Sequence, residues 1–387
     1  MGPMMLLAHA RVACSPTDSV RRNVQLRGAR ISFTRACGDA VDLSGYLLLP
    51  GLINAHDHLE FNLFPRLGRR IYANAVDWAG DIHRPKESPV REHLSLAKRD
   101  RLIWGGLRNL LNGVTTVAHH NPYQPIFDEG FPVRVVRRFG WAHSIAFAHD
   151  VAARYRETPP DQPFLIHAAE GTDACARAEI GKLDRWGVLD RRTVLVHALG
   201  IDRSGFERIQ KRGCSMVWCP SSNLLTYGRT LACDFVRESC CALGTDSAIS
   251  AAGDMSDEIR IAHSQGASIE LLYDMVTHRA AKILRLGQAA GAIRHGAMAD
   301  FIAVRDQGQT PAEALLHLTP ELVIIGGRVR LISKPLRSRF AIKEKLHSIA
   351  LEGRGEWFTP FDVPRLLNSA RAALGPEIRL AGKRVLE

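Results

Sequence analysis

YLLLPGLINAHDHLEF, residues 46–61, is an apolar run that ends in two histidines one residue apart. A strand alternates its side chains with period two, so His56 and His58 project to the same side. One strand thereby offers two imidazoles to a single metal ion. Two histidines in a surface loop would show the same spacing, and the rest of the chain decides between these readings.

From Pro50 to about Leu286 the chain reads as strand followed by helix, repeatedly. The strand-like runs are LLLPGLINA, GVTTVAHH, AHSIAFAHD, PFLIHAAE, TVLVHALG, CSMVWCPSS and CCALGTDS, with helical stretches such as REHLSLAKRDRLIWGGLRNLLNG and ACARAEIGKLDRWGV between several of them. Repeated βα units predict a parallel sheet, doubly wound or closed as a barrel. Nearly every run ends in a residue able to do chemistry: His56 and His58, His119 and His120, His149, His167 and Glu170, His197, Asn223, Asp246. Polar groups gathered from the C-terminal ends of many strands are expected of a (β/α)8 barrel, whose strand ends meet at one mouth. A doubly wound sheet uses one crevice, usually with a glycine-rich first turn, and no GxGxxG follows a strand here. The expected fold class is therefore α/β, a (β/α)8 TIM-like barrel over residues 49–289.

Short strands with glycine turns flank that region on both sides. LLAHARVAC, VQLRGARISFT and YLLL precede it; GAIRHGAMADFIAVR and ELVIIGGRVRLI follow it. Residues 1–48 are too few for a core of their own, so 1–48 and 290–333 are expected to build one small β-sandwich domain together. Residues 334–387 read as a C-terminal helical extension.

Composition narrows the class. The chain has 387 residues, 46% hydrophobic and 24% charged, which suits a globular protein with one large domain and an appendage. No apolar run reaches the roughly 18–20 residues of a membrane helix, and MGPMMLLAHA lacks the basic start of a signal peptide. Eight cysteines show no CxxC pair and no framework spacing, as expected of reduced thiols in the cytoplasm. The net charge of +11 owes much to the stretch beyond Gly327. No basic-aromatic interleaving or nucleic-acid motif accompanies it, so the expected partner is a small molecule, not nucleic acid or membrane, with a homo-oligomer left open.

Taken together, His56, His58, His167, His197 and Asp246 are three or four imidazoles and a carboxylate, a set suited to Zn²⁺, or to Fe²⁺ or Mn²⁺. An open position would hold water and lower its pKa toward 7 or so, and Asp246 could take the water's proton. Glu170, three residues past His167, could protonate a leaving nitrogen. Taken alone, it reads equally as a glutamate stabilised at a helix N-terminus.

PGLINAHDHL, NGVTTV, IHAAE, VLVHA, CPSSN, LGTDS and THRAAKIL…GAIRHGAMADFIAV, in that order, resemble the amidohydrolase superfamily. The resemblance runs from about residue 5 to about 331. It is strongest to the mononuclear branch of cytosine, guanine and adenosyl-type deaminases and triazine hydrolases. It implies that His56, His58, His167 and Asp246 bind one divalent metal ion, zinc first and iron or manganese as alternatives. It also implies that His197 contacts the water or substrate oxygen and that Glu170 shuttles a proton to the substrate nitrogen. Binuclear relatives often use a bridging carboxylated lysine, and no lysine lies between Lys98 and Lys182.

The expected activity is hydrolysis of a C–N bond: deamination of an aminated N-heterocycle or cyclic amidine by a metal-bound hydroxide. The alternatives are a lactam or imide hydrolase on the same site and, remotely, a non-catalytic scaffold. Glu60, Asn62, His119, His120 and Asn223 are candidates for substrate contact; Trp78, Trp104 and Trp141 read as core. Only about a dozen residues separate AHSIAFAHD from PFLIHAAE, so the barrel is expected to be distorted or to lack one βα unit, with its fourth strand missing, displaced or supplied by VRVV.

Overall fold

The computed structural model of the chain describes residues 4–33, 40–68, 70–251, 253–287 and 289–386; Cys37 lies outside them. At its centre are two parallel ladders. The first joins Leu52–Asp57 (β1), Val114–His119 (β2) and Arg134–Val135 (β3), in the order β3-β2-β1. The second joins Gly140–Ser144 (β4), Phe164–Ala168 (β5), Thr193–His197 (β6), Ser215–Trp218 (β7) and Cys241–Leu243 (β8), paired in chain order. The ladders approach where β8 ends: the N–H groups of Thr245 and Asp246 both donate to the carbonyl of His56, each at 3.1 Å.

Side chains of these strands feed two different cores with period two. Ile53, Ala55, Ala118, Leu165, Val194, Val196, Val217 and Ala242 pack in one cluster. Their neighbours Leu52, Val117, Ile166, Leu195, Met216 and Leu243 pack in another. A strand covered on both faces needs apolar residues at consecutive positions, which is why these segments read as continuous runs without alternation.

The short chain before PFLIHAAE costs no strand. Val133–Val136 supplies β3, one of the alternatives the sequence left open, and only residues 136–139 connect it to β4. What is absent there among the described residues is a helix; the link from β2 to β3 holds just a 3₁₀ turn, Pro125–Asp128. Helices pack elsewhere around the ladders, among them Lys98–Leu110 (α1), Ala174–Arg185 (α2), Pro220–Tyr227 (α3) and Met255–Ser264 (α4). Side-chain caps start several of them: Asp173 accepts from the N–H of Ala176, and Asp254 makes a reciprocal capping box with Asp257 at the start of α4.

Both ends of the chain meet in one sheet. Tyr46–Pro50 pairs antiparallel with Phe301–Arg305, Leu49 opposite Ile302, within a ten-stranded sheet. Tyr46 and Leu48 face the core shared with a separate four-stranded sheet that includes Met4–Ala8, while Leu47 and Leu49 face the central core. The helical extension expected over 334–387 is corrected. That stretch holds the helix Val363–Leu374 (α5) and a short turn at Lys334–Arg337. It also holds His347–Leu351, Gly355–Thr359, Arg379–Leu380 and Lys383–Leu386, four strands that extend the ten-stranded sheet. The alternation in HSIAL and GEWFT, Ile349, Leu351 and Trp357 buried between more exposed neighbours, is strand-like.

Candidate metal centre

β1 places His56 and His58 on one side, and the ends of β5 and β8 bring His167 and Asp246 to them. Nε2 of His167 lies 3.2 Å from Nε2 of His56 and 3.4 Å from Nε2 of His58. Oδ1 of Asp246 lies 3.8 Å from both of the latter. The hydrogen bonds at the far side of each ring fix which nitrogen is bare. Nδ1 of His167 sits 2.7 Å from the carbonyl of His143 and must donate to it, leaving Nε2 unprotonated. Nε2 of His120 donates to the carbonyl of Ala142 at 3.1 Å, so its Nδ1 accepts from Nδ1 of His56 at 3.3 Å. Nε2 of His56 is then bare as well.

Two nitrogen lone pairs facing each other at 3.2 Å, beside a carboxylate, repel unless a cation lies between them. The donor set of imidazoles and carboxylate suits a divalent ion, so the residues present fit the expected metal. Electrostatics prepare them for it. Burial, with the surrounding histidines adding to it, pushes His56, His120 and His167 well below the usual imidazole range, so all three are neutral. Burial raises Asp246, but His58, His197 and the hydroxyls of Ser250 and Ser222 outweigh it and hold the carboxyl below its ordinary value. Those two hydroxyls each donate to Oδ2 at 2.7 Å, leaving Oδ1 to face the imidazoles.

A second group of polar atoms adjoins the first. Glu170 lies just beyond β5, with Oε1 3.5 Å from Nε2 of His197 and accepting from the Tyr227 hydroxyl at 2.7 Å. Burial raises the Glu170 carboxyl above its ordinary value, against the opposing pull of His197 and Tyr227. Nδ1 of His197 bonds Oδ1 of Asn223 at 2.9 Å, so the neutral ring carries its proton there and presents an acceptor at Nε2. His197 and Asp246 both have positive φ, 70° and 50°, a conformation that costs most non-glycine residues about 1 kcal/mol or more. In both, the strand turns sharply as it ends and aims the side chain at the common centre.

These groups line a cavity of about 420 Å³. His58, His167, Glu170, His197 and Asp246 form its floor, and Phe61, Ala75, Trp78, Ala79, Phe147 and Ile249 its apolar walls, with Asn121, His143 and Ser247 as further polar groups. A larger cavity, about 530 Å³, lies between Asn62–Arg66 and the chain beyond Leu374, and none of these floor residues lines it.

The five residues expected to touch substrate sit behind the walls. Glu60 is enclosed between His119 and Lys98, each 3.6 Å away. Asn62 bonds Asp57 and Arg108. His119 accepts from the N–H of Leu59 at 3.3 Å, His120 backs His56, and Asn223 orients His197. Each is consumed by a neighbour that the sequence does not reveal. His149, expected at a strand end, is in an exposed turn: β4 stops at Ser144, so His143 is the strand-end imidazole that enters the cavity. Of the tryptophans, Trp104 is core, but Trp78 is in the cavity wall.

The amidohydrolase family model matches residues 151–330. A 5-methylthioadenosine/S-adenosylhomocysteine deaminase of Saccharophagus degradans is 25% identical over 325 residues, 68% of this chain and 72% of that protein. Among solved structures, an adenosine deaminase from Xanthomonas campestris with bound zinc has a TM-score of 0.71 at 18% identity, covering 95% of this chain and 97% of that one. Atrazine chlorohydrolase TrzN from Arthrobacter aurescens, complexed with zinc, has a TM-score of 0.72 at 16% identity, covering 96% and 100%. The resemblance to amidohydrolases and to a deaminase is thus present in sequence, and the fold is shared with an adenosine deaminase and a triazine hydrolase.

Proposed function

We propose that the chain is a metal-dependent hydrolase that removes the amino group of a nitrogen heterocycle as ammonia. The observation that carries this reading is the convergence of three imidazoles and Asp246 beside a second, protonatable carboxyl in one cavity. His56, His58, His167 and Asp246 would hold one divalent ion, with zinc, the ion of both solved relatives described above, as the first choice. Bound there, it would supply Lewis acidity that lets water attack at neutral pH.

The chain's own residues supply the rest. Phe61, Trp78 and Phe147 offer apolar faces to a flat ring. Asp246, its carboxyl held ionised, takes a proton from the attacking water. Glu170, held toward its neutral form by burial, gives a proton to the departing nitrogen. Two carboxyls in unlike surroundings can thus serve as base and acid at one pH. With its Nδ1–H fixed on Asn223, His197 is an acceptor when neutral and donates to the substrate oxygen only as imidazolium. Water is consumed, the C–N bond breaks, and a carbonyl and ammonia remain.

Around this site we read the eight strands as a closed (β/α)8 barrel, residues 49–289, and the sheets of both chain ends as one composite β-sandwich domain. The two backbone bonds onto His56 support closure, and the shared core of the two sheets supports the composite domain. Free cysteines support a reducing, cytoplasmic setting; no helix among the described residues is long and apolar enough to cross a membrane.

The test is ammonia release from aminated purines, pyrimidines and triazines by the zinc-loaded chain, beside Glu170→Gln and His56→Ala. Turnover is expected to vanish in both, with metal kept in the first and lost in the second. Ring opening without ammonia would move the reading to cyclic amide hydrolysis. Full activity of Glu170→Gln would remove its role as acid.

A further inference from the structure

The candidate ligands come from three distant parts of the chain, and one buried side chain touches the supports of two of them, the HDH strand and the turn of Asp246. Arg108 projects inward from α1 and is 2% exposed, although it reaches no cavity around the metal site. Its Nη1 donates to Oδ1 of Asn62 at 2.7 Å, to the carbonyl of Asp246 at 3.1 Å and to Oγ1 of Thr245 at 3.3 Å. Its Nε donates to the carbonyl of Gly253 at 2.9 Å, and Nη2 shares that acceptor. The same guanidinium lies 3.5 Å from Oδ2 of Asp57, the residue between His56 and His58.

Asp57 points away from its flanking histidines into this network, where Asn62 and Asn109 donate to its two oxygens at 2.8 and 2.7 Å. The guanidinium therefore joins the HDH strand to the turn that carries Asp246. That turn needs holding, because Asp246 has a φ of +50°, and its carbonyl is held by Arg108 from α1 and by the adjacent Thr245 hydroxyl at 2.9 Å. A guanidinium offers five donors in a rigid planar fork that spans acceptors on separate segments, whereas an ammonium offers three from one compact point on a flexible stem. We infer that Arg108 is a positioning residue that holds Asp246 in register with His56 and His58, and so sets how tightly the site keeps its metal. The inference rests on the metal-centre reading above and assigns Arg108 no contact with metal or substrate.

The test compares three forms of the full chain: wild type, Arg108→Lys, and Arg108→Met combined with Asp57→Asn. The lysine variant keeps a cation opposite Asp57, and the double variant leaves no buried charge alone, so each protects the fold in a different way. Each is loaded with zinc, its loss to excess dipicolinate is timed, and the visible spectrum of the cobalt(II) form is recorded. Folding is checked by circular dichroism. Partners that orient metal ligands typically change affinity roughly 10–100-fold when removed. Zinc loss roughly 10-fold or more faster is expected in both variants, with altered cobalt bands because Asp246 no longer keeps its place. If either variant folds and keeps zinc as long as wild type with an unchanged cobalt spectrum, Arg108 is only a structural residue and the inference is overturned. A wild-type chain that takes up neither ion overturns the metal-centre reading, and this inference with it.

Discussion

Replacing Glu258 by glutamine should make the chain's stability less sensitive to pH, by an amount the structure sets. Glu258, on α4, is 2% exposed. Its Oε1 accepts from the N–H of Ser221 at 2.9 Å, and its Oε2 pairs with the Ser221 hydroxyl. The neighbouring Ser222 in turn holds Asp246, so Glu258 anchors the helix that steadies a candidate ligand. Burial pushes its carboxyl from 4.5 up to about 8, against the pull of Ser221 and Arg108. A carboxyl raised on folding binds its proton more tightly in the native state. Its contribution is therefore complete below the unfolded value, falls as pH rises from 4.5 toward about 8, and is level above that. At about 1.36 kcal/mol per unit over the 3.5 units between those values, the full swing is about 5 kcal/mol. Glutamine keeps the shape, accepts from the Ser221 N–H and donates to its hydroxyl, but does not titrate. Urea unfolding of the metal-loaded pair from about pH 5.5 to about pH 9.5 reads the difference directly, since other groups cancel. Wild type should lose about 1.4 kcal/mol relative to Glu258→Gln for each unit up to about pH 8, and no more beyond it. A difference independent of pH would refute the reasoning, since it would mean that Glu258 is ionised throughout.

Tyr227→Phe removes the 2.7 Å hydrogen bond to Glu170, which favours the carboxylate, so the acid form should persist to higher pH. The basic limb of kcat/KM should move up by about one unit or less; a limb that stays put or moves down contradicts the acid role. A Cβ on Gly105 would fall 2.1 Å from the carbonyl of Leu59, next to His58. Gly105→Ala must therefore push α1 off β1's exit and should cost about 1–3 kcal/mol, seen as a lower melting temperature together with weaker zinc retention. Lys383 lies 2.9 Å from Asp254 and 3.2 Å from Asp257, tying the C-terminal strands to the start of α4. Asp254 is nearly inaccessible, and Arg354 at 3.6 Å remains to it. Lys383→Met should then cost about 1–3 kcal/mol, less than stripping a buried acid of its only partner, and an unchanged urea midpoint would show that the tie carries no stability.

The convergence of the four candidate ligands is legible because each follows a rule that acts within its own segment. His56 and His58 share a face through strand periodicity alone, and His167 and Asp246 sit where an apolar run stops, which is where a parallel strand delivers side chains to the mouth. The same rule failed at AHSIAFAHD. The strand ends after Ser144, but Ile145, Ala146 and Phe147 prolong the apolar run, so the sequence points to His149 as the terminal residue in place of His143. Phe147 is apolar because it lines the cavity, not because it belongs to a strand. VRVV was ambiguous for the opposite reason, its paired segment being two residues long and carried by its neighbour β2. The roles of the polar residues nearest the candidate ligands are not legible, because type and spacing say nothing about which partner a side chain finds. Asn62, His120 and Asn223 have the chemistry of substrate contacts. They are committed instead to Arg108, His56 and His197, partners 26 to 64 residues away along the chain. Arg108 carries no sequence signal of its own, and only the meeting of β1, β8 and α1 gives it partners. Sequence therefore discloses the groups that a strand aims, whereas the groups that do the aiming become visible only once distant segments have met.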